Sequence, residues 1–248
     1  MRVLVIGGSG HVGSLVVPRL AVRWGHAVTV YDRARLPPAL AREGVTFLQG
    51  DLDDIAALHA AIEGQEAVLY LAMGQFGRGM ARDAAVRASF DVNARGVWQA
   101  CEAAQQAGTV RRFVYASSLS VYRDALHRPL ADEDMPPDAL ALYGLTKTFG
   151  EMTLRRFALM ERSGFSAFAL RLCFPVETAD EVARLARDED RDCGLTGEET
   201  ARAFHAALTI PHSSYAALFI TGARTRPGRV NLTRAKSLLD WEPDPVEK

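Results

Sequence analysis

The sequence predicts an α/β fold, an open parallel sheet flanked by helices, and three observations predict it. An apolar run, Arg2-Val-Leu-Val-Ile6, breaks into glycines up to Gly13 and continues into a helical pattern, which reads as strand, tight turn, helix. Further short apolar runs then alternate with longer helical patterns along most of the chain, the rhythm of strand-helix-strand units. The fifth run ends directly in Ser117-Ser118 and so delivers hydroxyls to the carboxyl edge, where open parallel sheets hold their ligands.

A chain of 248 residues forms one large domain, or a core domain with a small appendage, and can bury a substantial hydrophobic core. Its formal charge of -1 carries no basic footprint, which argues against nucleic acid or an anionic membrane and favours a small-molecule partner. Cys101, Cys173 and Cys193 are scattered with no paired spacing, as in a reducing compartment. His26, His59, His127, His205 and His212 lack ligand spacing, so no metal site is expected. With an apolar strand starting at residue 2 and no apolar run of transmembrane length, the expected location is the cytoplasm.

In the first turn, Gly8, Gly10 and Gly13 fit Gly-x-Gly-x-x-Gly, while Gly7, Gly10 and Gly13 fit the looser Gly-x-x-Gly-x-x-Gly of the same loop class. Either register leaves room for a pyrophosphate beside the unpaired amides of a helix start. His11 and Val12 lie in that first turn, and His11 either touches the dinucleotide or faces solvent. The helical pattern of residues 14–24 stops at Trp24-Gly25, and Ala27-Val-Thr-Val-Tyr31 is the second strand. Asp32 follows nineteen residues beyond Gly13, the separation at which a carboxylate reaches the adenosine ribose hydroxyls. A carboxylate there repels an added phosphate and favours NAD; adjacent Arg33 leaves NADP open.

Val45-Thr-Phe-Leu-Gln49 is the third strand, and Asp51 and Leu52 follow it; Asp51 sits beside the adenine, caps a helix beginning near Asp53, or does both. Ala67-Val-Leu-Tyr-Leu71 is the fourth, with Leu71 and Ala72 assigned to the cofactor wall. In the loop to Met80 and just beyond, Gln75, Arg78 and Arg82 are candidate substrate contacts or ordinary surface residues. Residues 81–107 read as one helical stretch in which Asn93, unfavourable in a helix interior unless used, suits a tertiary hydrogen bond.

After the fifth strand, Val110-Arg-Arg-Phe-Val-Tyr-Ala116, come Ser117, Ser118 and Ser120; residues 123–140 are a loop or lid, and the next helix begins near Leu140. Tyr143 and Lys147, four residues apart, share one face of that helix. A tyrosine near pKa 10 is a poor base at neutral pH, so a cation beside it and a charged nicotinamide are expected to make the phenolate accessible. Ser118 then holds the substrate oxygen while Tyr143 moves its proton.

Gly7-x-x-Gly10-x-x-Gly13, Asp32, Asp51-Leu52, Asn93-x-x-Gly96, Ser117-Ser118-x-x-Val121-Tyr122 and Tyr143-x-x-x-Lys147 together resemble an extended short-chain dehydrogenase/reductase of the NAD-dependent epimerase/dehydratase family. The resemblance implies a Rossmann-like sheet, pyrophosphate binding by the glycines, ribose binding by Asp32 and adenine proximity for Asp51 and Leu52. It also implies active-site support from Asn93, Ser118 as the catalytic hydroxyl, Tyr143 as the base and Lys147 as its ribose-binding partner.

Phe165-Ser-Ala-Phe-Ala-Leu-Arg171 is a sixth strand, and Leu172-Cys-Phe-Pro-Val-Glu177 resembles the family's turn beside nicotinamide without its common Gly-Pro ending. Residues 178–192 are a polar helix or helix pair, 196–208 a helix with Thr196 and Glu199 as a capping box, 216–220 a strand, and 231–243 a closing helix and tryptophan-proline turn. The division is therefore a mainly NAD-binding core over 1–171 and a small C-terminal substrate-binding region over 172–248. That compact plan resembles uronate dehydrogenases, although Leu119-Ser120 follows Ser118 where those enzymes carry Asn-His.

The same Leu119-Ser120 cannot replace the acid and base of a dehydratase. Ser120 and Arg171 join Gln75 and Ser118 as substrate contacts, although an arginine at the end of that strand is general in the family. The leading expectation is an NAD-dependent oxidoreductase acting on a sugar or sugar derivative. An NAD-retaining sugar or nucleotide-sugar epimerase and a non-enzymatic nucleotide-responsive regulator stay open. A homodimer through residues 81–107 and 142–162 fits the resemblance, yet faces buried within a monomer give the same pattern.

Overall fold

The computed structural model describes residues 1–74, 79–160, 165–188, 191–211 and 214–245. Seven parallel strands form one sheet in the order β3-β2-β1-β4-β5-β6-β7: β1 is Arg2–Ile6, β2 Ala27–Asp32, β3 Val45–Gln49, β4 Ala67–Tyr70, β5 Arg112–Ser118, β6 Ser166–Leu172 and β7 Tyr215–Ile220. Helices cover both faces, which explains why β4 and β6 are apolar and buried nearly throughout rather than alternating. One face carries α1 (His11–Val22), α7 (Gly197–Thr209) and α8 (Thr233–Leu239); their apolar residues pack with Val3, Val5, Phe168 and Leu218 of the sheet. The other carries α2 (Ile55–Ile62), α4 (Gly96–Ala107) and α5 (Leu142–Leu159), packed on Leu4, Tyr70, Phe113 and Tyr115. The strand order reverses between β1 and β4, the switch point beyond whose carboxyl ends such sheets bind ligands.

Several boundaries differ from the sequence reading for physical reasons. The helical stretch over 81–107 is divided into α3 (Arg82–Phe90), a π-helical turn over Asp91–Arg95, and α4. Asp54, not Asp51, caps α2, accepting the Ala57 amide at 3.0 Å. Thr196 and Glu199 form the capping box of α7, and α6 (Ala179–Leu185) is likewise capped by Thr178 and Glu181. After residue 171 the chain returns to the sheet as β7, pairing with β6 from Tyr215 to Ile220, and the buried Trp241 closes the core by donating to the Glu199 carbonyl. The expectation of unpaired cysteines is corrected: Cys173 and Cys193 form a disulfide, while Cys101 is free and buried. Their proximity follows from a bridge between Pro175 and Leu195, which draws the turn after β6 against the approach to α7. Among the described residues no helix is long and apolar enough to cross a membrane.

Candidate active site

A cleft of about 1050 Å³ opens beyond the carboxyl ends of the strands. At its β1 end, Gly7 has φ of +81°, and a Cβ there would collide with the backbone of Ala72 at the end of β4. A Cβ on Gly8 would likewise meet the Val30 side chain at 2.9 Å, so the turn excludes a side chain at both positions. Gly13 lies under the turn, where a Cβ would strike the Gly8 carbonyl, so it serves helix packing and does not line the cleft. Gly10 is the N-cap of α1 and supplies no capping side chain, leaving the helix start to receive an anion. Gly7, Gly10, His11 and Val12 all line the cleft.

Asp32 ends β2 with each carboxylate oxygen accepting a backbone amide, Ser9 at 2.9 Å and Ala34 at 2.9 Å. The fixed carboxylate keeps lone pairs for a ribose diol. Arg33, Asp51, Leu52, Leu71 and Ala72 line the same end; Tyr31 holds that wall by donating to the Asp51 carbonyl at 2.8 Å.

At the β5 end, Ser118, Ser120, Tyr143 and Lys147 line the cleft together. Ser118 donates to the Ser120 hydroxyl at 3.1 Å, and also hydrogen-bonds the Tyr143 side chain. Burial raises the Tyr143 pKa, with the Ser118 bond opposing that shift. Lys147 is buried, donates to the Ala116 carbonyl at 2.7 Å, and sits 4.7 Å from the Tyr115 ring centroid and 5.8 Å from that of Tyr143. Burial pushes its pKa down to about 7, against the pull of Glu151 one turn further along α5. Burial on its own thus works against charge on both groups, and the phenolate expected from the sequence calls for the nicotinamide charge as well as Lys147.

The model of the NAD dependent epimerase/dehydratase family matches residues 3–176. The chain belongs to that family. An L-arabinose 1-dehydrogenase (NAD(P)(+)) of Haloferax volcanii is 32% identical over 202 residues, 76% of this chain and 72% of that protein. A 3 beta-hydroxysteroid dehydrogenase/Delta 5-->4-isomerase of Mycobacterium tuberculosis is 38% identical over 139 residues, covering 54% of this chain and 36% of that protein, so the chain matches little more than a third of its length. The crystal structure of uronate dehydrogenase from Agrobacterium tumefaciens superposes with a TM-score of 0.76 at 21% identity, over 98% of this chain and 84% of that one, which shows the shared Rossmann-like fold.

Within this family member, Arg171 and Arg82 stand outside the cleft, and Asn93 makes a tertiary hydrogen bond of the kind its place in the helix suggested. Arg171 is not in the cleft: it is buried, pairs bidentately with Glu151 (2.9 and 2.7 Å), and donates to the Tyr122 hydroxyl and the Glu133 carbonyl. Asn93 is fully buried behind the wall; its side chain accepts the Gly74 amide at 3.1 Å and donates to Thr146 at 3.0 Å, tying the loop after β4 to α5. It supports the site without facing it. Arg82 begins α3 outside the cleft lining, and Gln75 and Arg78 lie outside the described residues.

Residues that sequence reasoning passed over include Ser9, whose amide fixes Asp32, and Glu151, which accepts Ser117 at 2.5 Å besides Arg171. Both act through contacts made only on folding. Glu151 lies four residues beyond Lys147, a helical spacing that could have drawn notice.

Proposed function

We propose that this protein is an NAD-dependent oxidoreductase that oxidises a sugar or sugar derivative, with Tyr143 as the acid/base. The observation that carries the reading is the convergence of Ser118, Tyr143 and Lys147 on the cleft that also contains the Gly7–Gly13 turn and Asp32. The residues present fit the dinucleotide: a helix start without a capping side chain for the pyrophosphate, a fixed carboxylate for the ribose diol, and a buried lysine for the second ribose. NAD, when bound, supplies the hydride acceptor for the carbinol carbon and a positive charge near Tyr143. Ser118 holds the substrate oxygen, and Tyr143 removes its proton. Tyr143 must carry a negative charge before it accepts that proton and is neutral afterwards; Lys147 offsets that initial charge, opposing the burial that disfavours the phenolate.

Support for a sugar comes from the L-arabinose dehydrogenase, matched over most of both chains. Asp32 supports NAD over NADP. Phe90, Trp98, Phe149 and Met152, exposed on α3, α4 and α5, support a homodimer through those helices. The deciding experiment incubates the purified protein with NAD and a panel of aldoses, uronates, nucleotide sugars and hydroxysteroids, with product identification. Stoichiometric NADH from sugars is expected. Turnover only on the steroids would overturn the sugar reading, and isomerised sugar without net NADH would replace oxidation by epimerisation.

A further inference from the structure

His11 makes a contact that the dinucleotide reading does not use. It is the first residue of α1, directly after the Gly10 N-cap, and its Nε2 donates to the Pro175 carbonyl at 2.7 Å across 164 residues of chain. Pro175 belongs to the turn after β6. Because Leu172 pairs with Ser118, that turn leaves the sheet beside the catalytic strand end, whereas His11 opens the helix reached by the loop that leaves β1. With β4 and β5 between them in the sheet, the two strands stand roughly 14 Å apart at about 4.8 Å per step. A single side-chain bond thus joins the phosphate end of the cleft to its catalytic end, and both partners line it.

The rest of the turn is fastened elsewhere. Glu177 pairs with Arg19 of α1 at 2.6 Å. Phe174 and Val176 exchange backbone hydrogen bonds with Leu195. Cys173 is bonded to Cys193. Of these attachments, only the His11 bond reaches from the phosphate-binding turn itself and along the cleft wall. Its partner is a carbonyl, so the ring must carry its proton on Nε2, and the bond is lost with any side chain lacking a donor there.

We infer that His11 is a positioning residue that ties the phosphate-binding turn to the Pro175 turn and slows exchange of the bound dinucleotide. The inference rests on the dinucleotide reading above. To leave, a dinucleotide spanning the cleft must part from both ends of it, and the bond resists their separation. One neutral hydrogen bond of ordinary net strength corresponds to about a 3- to 10-fold change in release rate.

The test uses NADH as the probe. Wild-type protein, His11→Phe and His11→Gln are loaded with NADH and chased with excess NAD in a stopped-flow fluorimeter, with melting temperatures checked in parallel. His11→Phe keeps the ring and loses the donor; His11→Gln returns a donor of similar reach. The expected result is release about 3- to 10-fold faster in His11→Phe and within about twofold of wild type in His11→Gln, at similar melting temperatures. Equal release from all three proteins, or a glutamine variant as fast as the phenylalanine one, overturns the tether. Failure of wild type to bind NADH is a different outcome, which overturns the dinucleotide reading beneath it.

Discussion

Tyr143 and Lys147 illustrate how a residue's environment sets its chemistry. Lys147 is buried and Tyr143 half-buried, and desolvation disfavours the charge on each: it raises the phenol and brings the ammonium down to about 7 from an ordinary 10.5. For a base whose folded pKa is lowered, the unfolded chain binds more protons between the two values. The Lys147 contribution to stability therefore rises with pH from about 7 to 10.5, and its penalty is complete below about 7. Denaturant titration of Lys147→Met against wild type should show the variant gaining most at pH 6.5 and the gap narrowing by pH 9.5; a gap independent of pH would mean that the lysine is not strained by burial. Turnover should respond in another way. Removing the phenol in Tyr143→Phe should cost roughly 10²- to 10⁴-fold in kcat while dinucleotide affinity measured by NADH fluorescence changes little; full activity would remove Tyr143 from the chemistry. At this scale the sequence made a residue's place readable wherever it follows from chain neighbours, as with Asp32 at the end of β2 in the cleft wall. It was not readable for Arg171, whose Glu151 partner lies on a different element and consumes the guanidinium that a substrate would need.

Elements place these residues through close approach rather than through long side chains. Helix α5 lies so near the end of β5 that a Cβ on Gly144 would collide with the Ser120 carbonyl, and one on Gly150 with the Tyr115 hydroxyl. Gly144 is next to Tyr143, so any displacement of the helix there moves the phenol relative to Ser118. Gly144→Ala should destabilise by about 1–3 kcal/mol through overpacking. It should also lower kcat by more than it changes dinucleotide affinity, because Gly7, Gly10 and Asp32 belong to other elements. Paired denaturation and steady-state measurements check this, and an alanine variant with wild-type kcat would show that the phenol tolerates a shifted helix. Element types and order were legible because hydrophobic periodicity is local. The π-helical turn over Asp91–Arg95 was not, since Asn93 turns inward to satisfy Gly74 and Thr146, partners invisible to a helical pattern.

Across the whole molecule, two strips of chain from beyond residue 171 complete what the first part begins. β7 extends the sheet, and the segment around Leu195 braces the turn after β6, with Cys173 and Cys193 joined where those strips meet. No spacing rule announces such a pair, because twenty residues separate the cysteines and a tertiary bridge brings them together. The consequence can be counted. Of the three cysteines in the chain, two are paired, so protein unfolded without reductant should titrate a single thiol, Cys101, and protein unfolded after reduction should titrate three. Three thiols without reductant would restore the expectation of unpaired cysteines. Where the bond is present, closing a loop of this length is worth about 3 kcal/mol by the chain-entropy argument, so Cys193→Ser should lower the unfolding free energy by an amount of that order. Because Cys173 lies in the cleft wall beside Phe174 and Pro175, the same variant should also loosen the catalytic end of the cleft and raise KM for NAD. A loss of stability with an unchanged KM would make the disulfide a brace of the fold alone.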